Sequence, residues 1–256
     1  MCDGLAATGL AGDPREWFNE FEQRRRRELW GLLDSQDPGS YLRRVLAAAT
    51  TANGICGVKL HYYQLAGLYE NLGSPGLPPN PAALEAAFPG ARYLWLRRRD
   101  KARQALSYAR ASQTQVWWRI GRPSPAGPKG HFRYDPDQIY DLERQLIANE
   151  EAWWQFIARA HAQPLILDYE DLTADYVGTV RKVLRWLELP QAATVAIAPP
   201  RLQRQASAHD DQWLRRYLRH KALERTVLEP TAGGRRQDVP DTRRPDGSTA
   251  PDRDGM

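Results

Sequence analysis

Residues 92–110, RYLWLRRRDKARQALSYAR, decide how the rest of the chain is read. The apolar run 91–96 (ARYLWL) is short, ends in charge and reads as a buried strand. It passes straight into Arg97, Arg98 and Arg99, after which Asp100 stands as the N-cap of a helix carrying Ser107. Two further runs, 54–60 (GICGVKL) and 164–168 (PLILD), have the same strand character. Helical patterns cover 15–33, 41–50, 101–118, 136–160, 176–187 and 211–228. Strands alternating with helices predict an α/β protein, a mostly parallel sheet flanked by helices.

In such sheets ligands bind at the carboxyl ends of strands, where the next helix presents free N–H groups and positive dipole character. An anion would sit comfortably at the end of 91–96. Arginines there can fork onto a phosphate and a Ser hydroxyl adds a donor. The same cluster also reads as a solvated charge group in which Asp100 is only a cap.

Composition narrows the setting. The 256 residues suit one domain and a tail. Residues 1–228 hold all nine Trp, whereas 229–256 contain four Pro, four Gly and no aromatic residue, the composition of a disordered tail. Arg supplies 31 of the 36 basic residues, and residues 1–228 carry 31 basic against 25 acidic groups. That balance suggests an anionic partner but is a weak nucleic-acid footprint. Two cysteines, Cys2 and Cys56, make no disulfide framework or zinc pattern, so a reducing, cytoplasmic setting is expected. No apolar run approaches membrane-spanning length. The Pro/Gly-rich stretches 71–81 and 121–136 are expected as loops of functional rather than spacer type.

Several chemistries lose their usual support. The chain has no GxxxxGK[ST] loop, no GxGxxG turn, no HExxH, no paired CxxC and no GxSxG elbow. No metal site is expected.

Other strings then fall into order: Gly9-Leu10-Ala11-Gly12-Asp13-Pro14-Arg15-Glu16-Trp17-Phe18, Gly57-Val58-Lys59-Leu60, Arg98-Arg99-Asp100 with Gln104-Ala105-Leu106-Ser107, and Arg204-Gln205-Ala206 followed by Trp213 and Tyr217. With Gln113-Thr114 and Val116-Trp117 between them, they resemble the bacterial trehalose 2-sulfotransferase family over residues 2–220. The resemblance implies a P-loop-NTPase-like sulfotransferase fold. It implies transfer of a sulfuryl group from 3′-phosphoadenosine 5′-phosphosulfate (PAPS) to a hydroxyl of a trehalose-like sugar or glycolipid precursor, and a homodimer.

It also implies roles. Glu16 matches the family's candidate general base, although Asp13-Pro14-Arg15-Glu16 is equally an N-cap to N3 pattern in which Glu16 closes a capping box. Sulfotransferases hold the 3′-phosphate with a strand-end Arg and a Ser of the next helix, which carries over to Arg98 and Ser107. Arg97 is the alternative to Arg98, because neighbours on a strand face opposite ways. Lys59, at the end of the second apolar run, reads either as a cation that stabilises the transferring group, as cations do in phosphoryl transfer, or as an ordinary strand-end lysine. Arg204 and Gln205 match an Arg-Gln pair near the nucleotide. Trp17, Phe18, Trp117 and Trp118 read either as a sugar-stacking wall or as core.

The family's first strand and its Ser/Thr/Gly-rich phosphosulfate loop precede the position matched by Met1, so the sheet is expected to lack that strand. The alternative expectation is a truncated, non-catalytic nucleotide- or sugar-binding remnant.

Overall fold

The computed structural model describes residues 1–76, 79–117, 132–200 and 208–228. Among them two of the three expected strands form. β1 (Leu94–Arg97) and β2 (Leu165–Asp168) pair in parallel, with Leu94 opposite Leu165 and Arg97 opposite Asp168. The pleat sends alternate side chains to opposite faces. Trp95 and Ile166 therefore join one core cluster, and Leu94, Leu165 and Leu167 another.

The first cluster gathers Trp17, Phe18, Tyr41, Leu65, Leu68 and Phe156. It draws on α3 (Gly39–Ala49), α4 (Leu65–Asn71), α5 (Pro81–Ala87) and the long α7 (Pro136–Arg159). Trp95 meets Trp154 of α7 edge-on at 4.5 Å. The second cluster packs Leu5 of α1 (Cys2–Ala7) with Val180, Val183 and Leu184 of α9 (Tyr176–Trp186). A third lies between α6 (Lys101–Thr114) and α7, where Ala102, Ala105, Leu106 and Ala109 face Ile139. Each large apolar side chain so buried contributes about 1.5–3 kcal/mol.

The last helix is α10 (Ala208–Leu228). Up to Leu218 it belongs to the compact unit Met1–Leu218, where Leu214 and Tyr217 enter the third cluster. Arg103 of α6 pairs with Asp211 at 2.7 Å, and Arg110 with Asp210 at 2.5 Å. The second unit, Arg219–Met256, is described through its helical residues 219–228. The expected tail, 229–256, lies outside the described residues.

Two expectations change here. The run 54–60 makes bridges, not a strand: Val58 pairs with Arg15 in parallel and Cys56 with Thr50 in antiparallel sense. Its neighbours are the turn before Arg15 and the end of α3, so Gly57 N–H donates to Ala49 O and Lys59 N–H to Arg15 O, and no ladder extends further. The helix expected over 15–33 is also shorter. α2 (Glu20–Leu29) starts at Asn19, whose side chain accepts from Glu22 N–H. The Asp13 carboxylate is instead held by Arg15 Nε at 2.6 Å. Asp13 to Glu16 is thus extended chain and turn, and Glu16 closes no capping box.

Candidate active site

The site begins with two glycines. Gly12 has φ +73°, and a Cβ there would lie 2.1 Å from Gly57 N; a Cβ on Gly57 would lie 2.8 Å from Ala11 O. Only glycine permits so close a crossing, and the first also needs the left-handed conformation. The crossing lays 12–16 against 56–60, and the Arg15–Val58 bridge sets the register. On the other side Tyr41 of α3, fully buried, donates its hydroxyl to Trp17 O at 2.6 Å.

This register brings Glu16 and Lys59 together. Lys59 Nζ donates to Glu16 Oε1 at 2.5 Å, and His61 Nε2 stands 3.4 Å from the same oxygen. Gln64, at the end of the 3-10 turn Tyr62–Gln64, donates its Nε2 to Glu16 Oε2 at 2.9 Å. The His61 contact, followed by that of Lys59, holds the Glu16 carboxyl well below the usual carboxylate range against the opposing effect of burial. Side-chain exposures of 31% for Glu16 and 37% for Lys59 leave both within reach of a bound molecule. A cleft of about 320 Å³ runs beside this segment, lined by Cys2, Asp3, Ala6, Ala7, Asp13, Pro14 and Arg15.

The end of β1 presents three arginines in three environments. Arg97 donates its Nε to Asp168 at 2.7 Å, which raises its pKa. Arg99 pairs with Asp171 at 2.7 Å and Glu170 at 3.6 Å. Arg98 has no carboxylate within ion-pair distance among the described residues. Its guanidinium lies over the Tyr169 ring at 4.7 Å, its Nε is buried without a hydrogen-bond partner, and burial lowers its pKa. Asp100 and Glu170 act on it only through space, so this half-buried cation keeps a donor for an anionic ligand.

The start of α6 is partly taken by the protein's own groups. The Glu170 carboxylate of α8 (Tyr169–Ala174) accepts from Arg99 N–H at 3.2 Å and Asp100 N–H at 3.4 Å, and Asp100 caps Arg103 N–H at 2.8 Å. The protein's own carboxylates thus take the N–H groups of Arg99, Asp100 and Arg103, part of the donor set on which the sequence reading placed an anion. Ser107 sits half-buried further along α6, one turn beyond Gln104, whose Oε1 is buried without a partner.

Trp17 and Phe18 are each 2% exposed inside the first core cluster, which corrects their assignment to a stacking wall. Trp117 is 47% exposed and meets Tyr108 edge-on at 5.4 Å. Trp118, Arg204 and Gln205 lie outside the described residues. Sequence reasoning missed His61 and Gln64. A signal existed for the first: two residues beyond Lys59 on an extended segment, His61 shares its face.

A carboxylate paired with a lysine, and a strand-end arginine without an ion pair among the described residues, are groups that can accept a proton and hold an anion, as a transferase of α/β class requires. Comparison with known proteins gives that class its name: the Stf0 sulphotransferase family model matches residues 1–220, and the chain belongs to this family. The trehalose 2-sulfotransferase of Mycobacterium tuberculosis strain Erdman is 31% identical over 227 residues, 83% of this chain and 81% of the relative. The trehalose 2-sulfotransferase of Mycolicibacterium smegmatis is 29% identical over 247 residues, 86% of this chain and 89% of the relative. The family description supports sulfuryl transfer, and both relatives carry the name of a sugar sulfotransferase. No described helix is long and apolar enough to cross a membrane.

Proposed function

We propose that this protein transfers a sulfuryl group from PAPS to a hydroxyl of a trehalose-like sugar, on a P-loop-like sulfotransferase scaffold, with Glu16 as general base. The observation that carries this reading is the Glu16 carboxylate itself, ionised, partly exposed and paired with Lys59. A sugar hydroxyl is a poor nucleophile and must lose its proton as the new bond to sulfur forms. PAPS supplies an activated sulfuryl group whose bond to the bridging oxygen breaks, the electron pair leaving with adenosine 3′,5′-bisphosphate.

The chain's own residues do the rest. Glu16 takes the acceptor proton. Lys59 serves both the carboxylate and the charge on the sulfuryl oxygens, as cations do in related transfers. This sharing suits the chemistry: a carboxylate held by lysine stays ionised but is a weak base, and it strengthens as the lysine's charge is drawn to the sulfuryl group. Arg98 holds the 3′-phosphate of the nucleotide, for which its buried and unsatisfied Nε fits, with Ser107 as a second donor.

The test is Glu16→Gln. Sulfation of trehalose should fall about 10²- to 10⁴-fold, while affinity for adenosine 3′,5′-bisphosphate stays within about twofold of the native protein because that ligand lacks the reacting group. Full turnover by Glu16→Gln would refute the mechanism.

A further inference from the structure

Gln64 is 2% exposed, and its amide is used at both ends. Its Oε1 accepts from His61 N–H at 2.9 Å, while its Nε2 donates to Glu16 Oε2 at 2.9 Å and to the Tyr63 hydroxyl at 3.3 Å. The backbone donor at His61 fixes which way the amide points, since the reversed amide would set NH₂ against N–H. A carboxylate has about four lone-pair sites, two on each oxygen. Among the described residues Oε1 receives both Lys59 and His61, and Oε2 receives Gln64 alone.

We infer that Gln64 is a positioning residue of the transfer, locking the Glu16 carboxylate so that the open lone pair of Oε2 is the one that takes the acceptor proton. The inference rests on the reading of Glu16 as base and adds to it the reacting atom and the group that aims it. Without the amide, the carboxylate is held only through Oε1 and can turn about that contact. Orientation of this kind governs turnover steeply, since a displacement of about 1 Å can cost 100-fold. The titratable groups around Glu16 are Lys59 and His61 from the segment after the bridge and Cys2 from α1, with the Tyr63 hydroxyl behind the amide.

Two variants separate aim from mere packing. Gln64→Met keeps the volume and removes both hydrogen bonds. Gln64→Glu keeps an acceptor for His61 N–H and sets a second carboxylate against Oε2, so the variant remains informative should the first fold poorly. In Gln64→Met, kcat should fall about 10- to 100-fold with KM for PAPS unchanged. The acid limb of the kcat profile should rise modestly, because a donor to the charged form has gone while Lys59 and His61 remain. In Gln64→Glu it should rise further, as two adjacent carboxylates share a proton. Native-like kcat and acid limb in folded variants would overturn the inference, as would a fall in kcat with the acid limb unmoved. Glu16→Gln measured alongside tells the two failures apart. An inactive Glu16→Gln with native-like Gln64 variants sinks the positioning role alone, whereas an active Glu16→Gln sinks the base and its positioning together.

Discussion

Arg97 and Arg98 are chemically identical neighbours that the fold puts to different uses. Arg97 closes the β1–β2 pair by binding Asp168, its register partner, whereas Arg98 makes no ion pair among the described residues and lies over Tyr169. A hydrogen bond to a charged group contributes about 1.5–3 kcal/mol. Arg98→Met should therefore raise the dissociation constant for adenosine 3′,5′-bisphosphate about 10- to 100-fold. Arg97→Met should leave that affinity near native and lower stability by about 1–2 kcal/mol, because Asp168 loses its short contact. Calorimetric titration and urea unfolding read the two effects. If Arg97→Met alone weakened nucleotide binding, the assignment of the two residues would be reversed. Strand alternation made it legible that the two arginines point to different surroundings, but not which of them pairs across the sheet, because that depends on Asp168, 71 residues away.

At the scale of elements, the active-site geometry comes from segments that are neither helix nor strand. The Gly12–Gly57 crossing, the Arg15–Val58 bridge and the 3-10 turn Tyr62–Gln64 bring Glu16, Lys59, His61 and Gln64 together. Gly12→Ala would force a Cβ onto Gly57 N and strain a left-handed backbone. It should lower stability by about 2 kcal/mol or more and cut turnover more than nucleotide binding, since Arg98 lies on another element. Thermal melts with parallel sulfation and titration assays check this; retained turnover would show that the crossing does not set the Glu16–Lys59 distance. Local patterns read the regular elements well: α6 starts at Lys101 behind its cap Asp100, and α7 at Pro136 behind its cap Asp135. They misread 13–16, because a cap and an extended turn use the same Asp-Pro-x-Glu string, and only the glycine crossing and the Trp17–Tyr41 contact select the turn.

Across the whole molecule, charge is spent locally. The arginine excess makes no basic stripe at the end of β1; Arg97, Arg99, Arg103 and Arg110 are each matched by Asp or Glu from α10, α8 or the end of β2. The Glu16 pair also links the site to acid stability. Its carboxyl titrates lower in the folded protein than in the unfolded chain, so the folded state binds fewer protons. The resulting stabilisation is complete above the unfolded value, about 4.3, and is lost as pH falls through the lower folded value. The stability advantage of the native protein over Glu16→Gln should thus shrink as pH falls from about 5 to about 3. Urea midpoints of the two proteins at both pH values measure it, and a constant difference would contradict the ionised pair.

The sequence alone determined the alternation of strands and helices, the strand-end arginines and the sulfotransferase resemblance, because each rests on contacts within a few residues or on strings in fixed order. Tertiary structure decided which groups surround Glu16, which arginine lacks an ion pair among the described residues, that Trp17 and Phe18 are core, and that His61 and Gln64 stand beside Glu16. Those outcomes depend on pairs separated by more than 40 residues, Glu16 with Lys59 and Gln64 and Arg97 with Asp168. Local propensity carries no record of which distant group the folded chain will bring alongside.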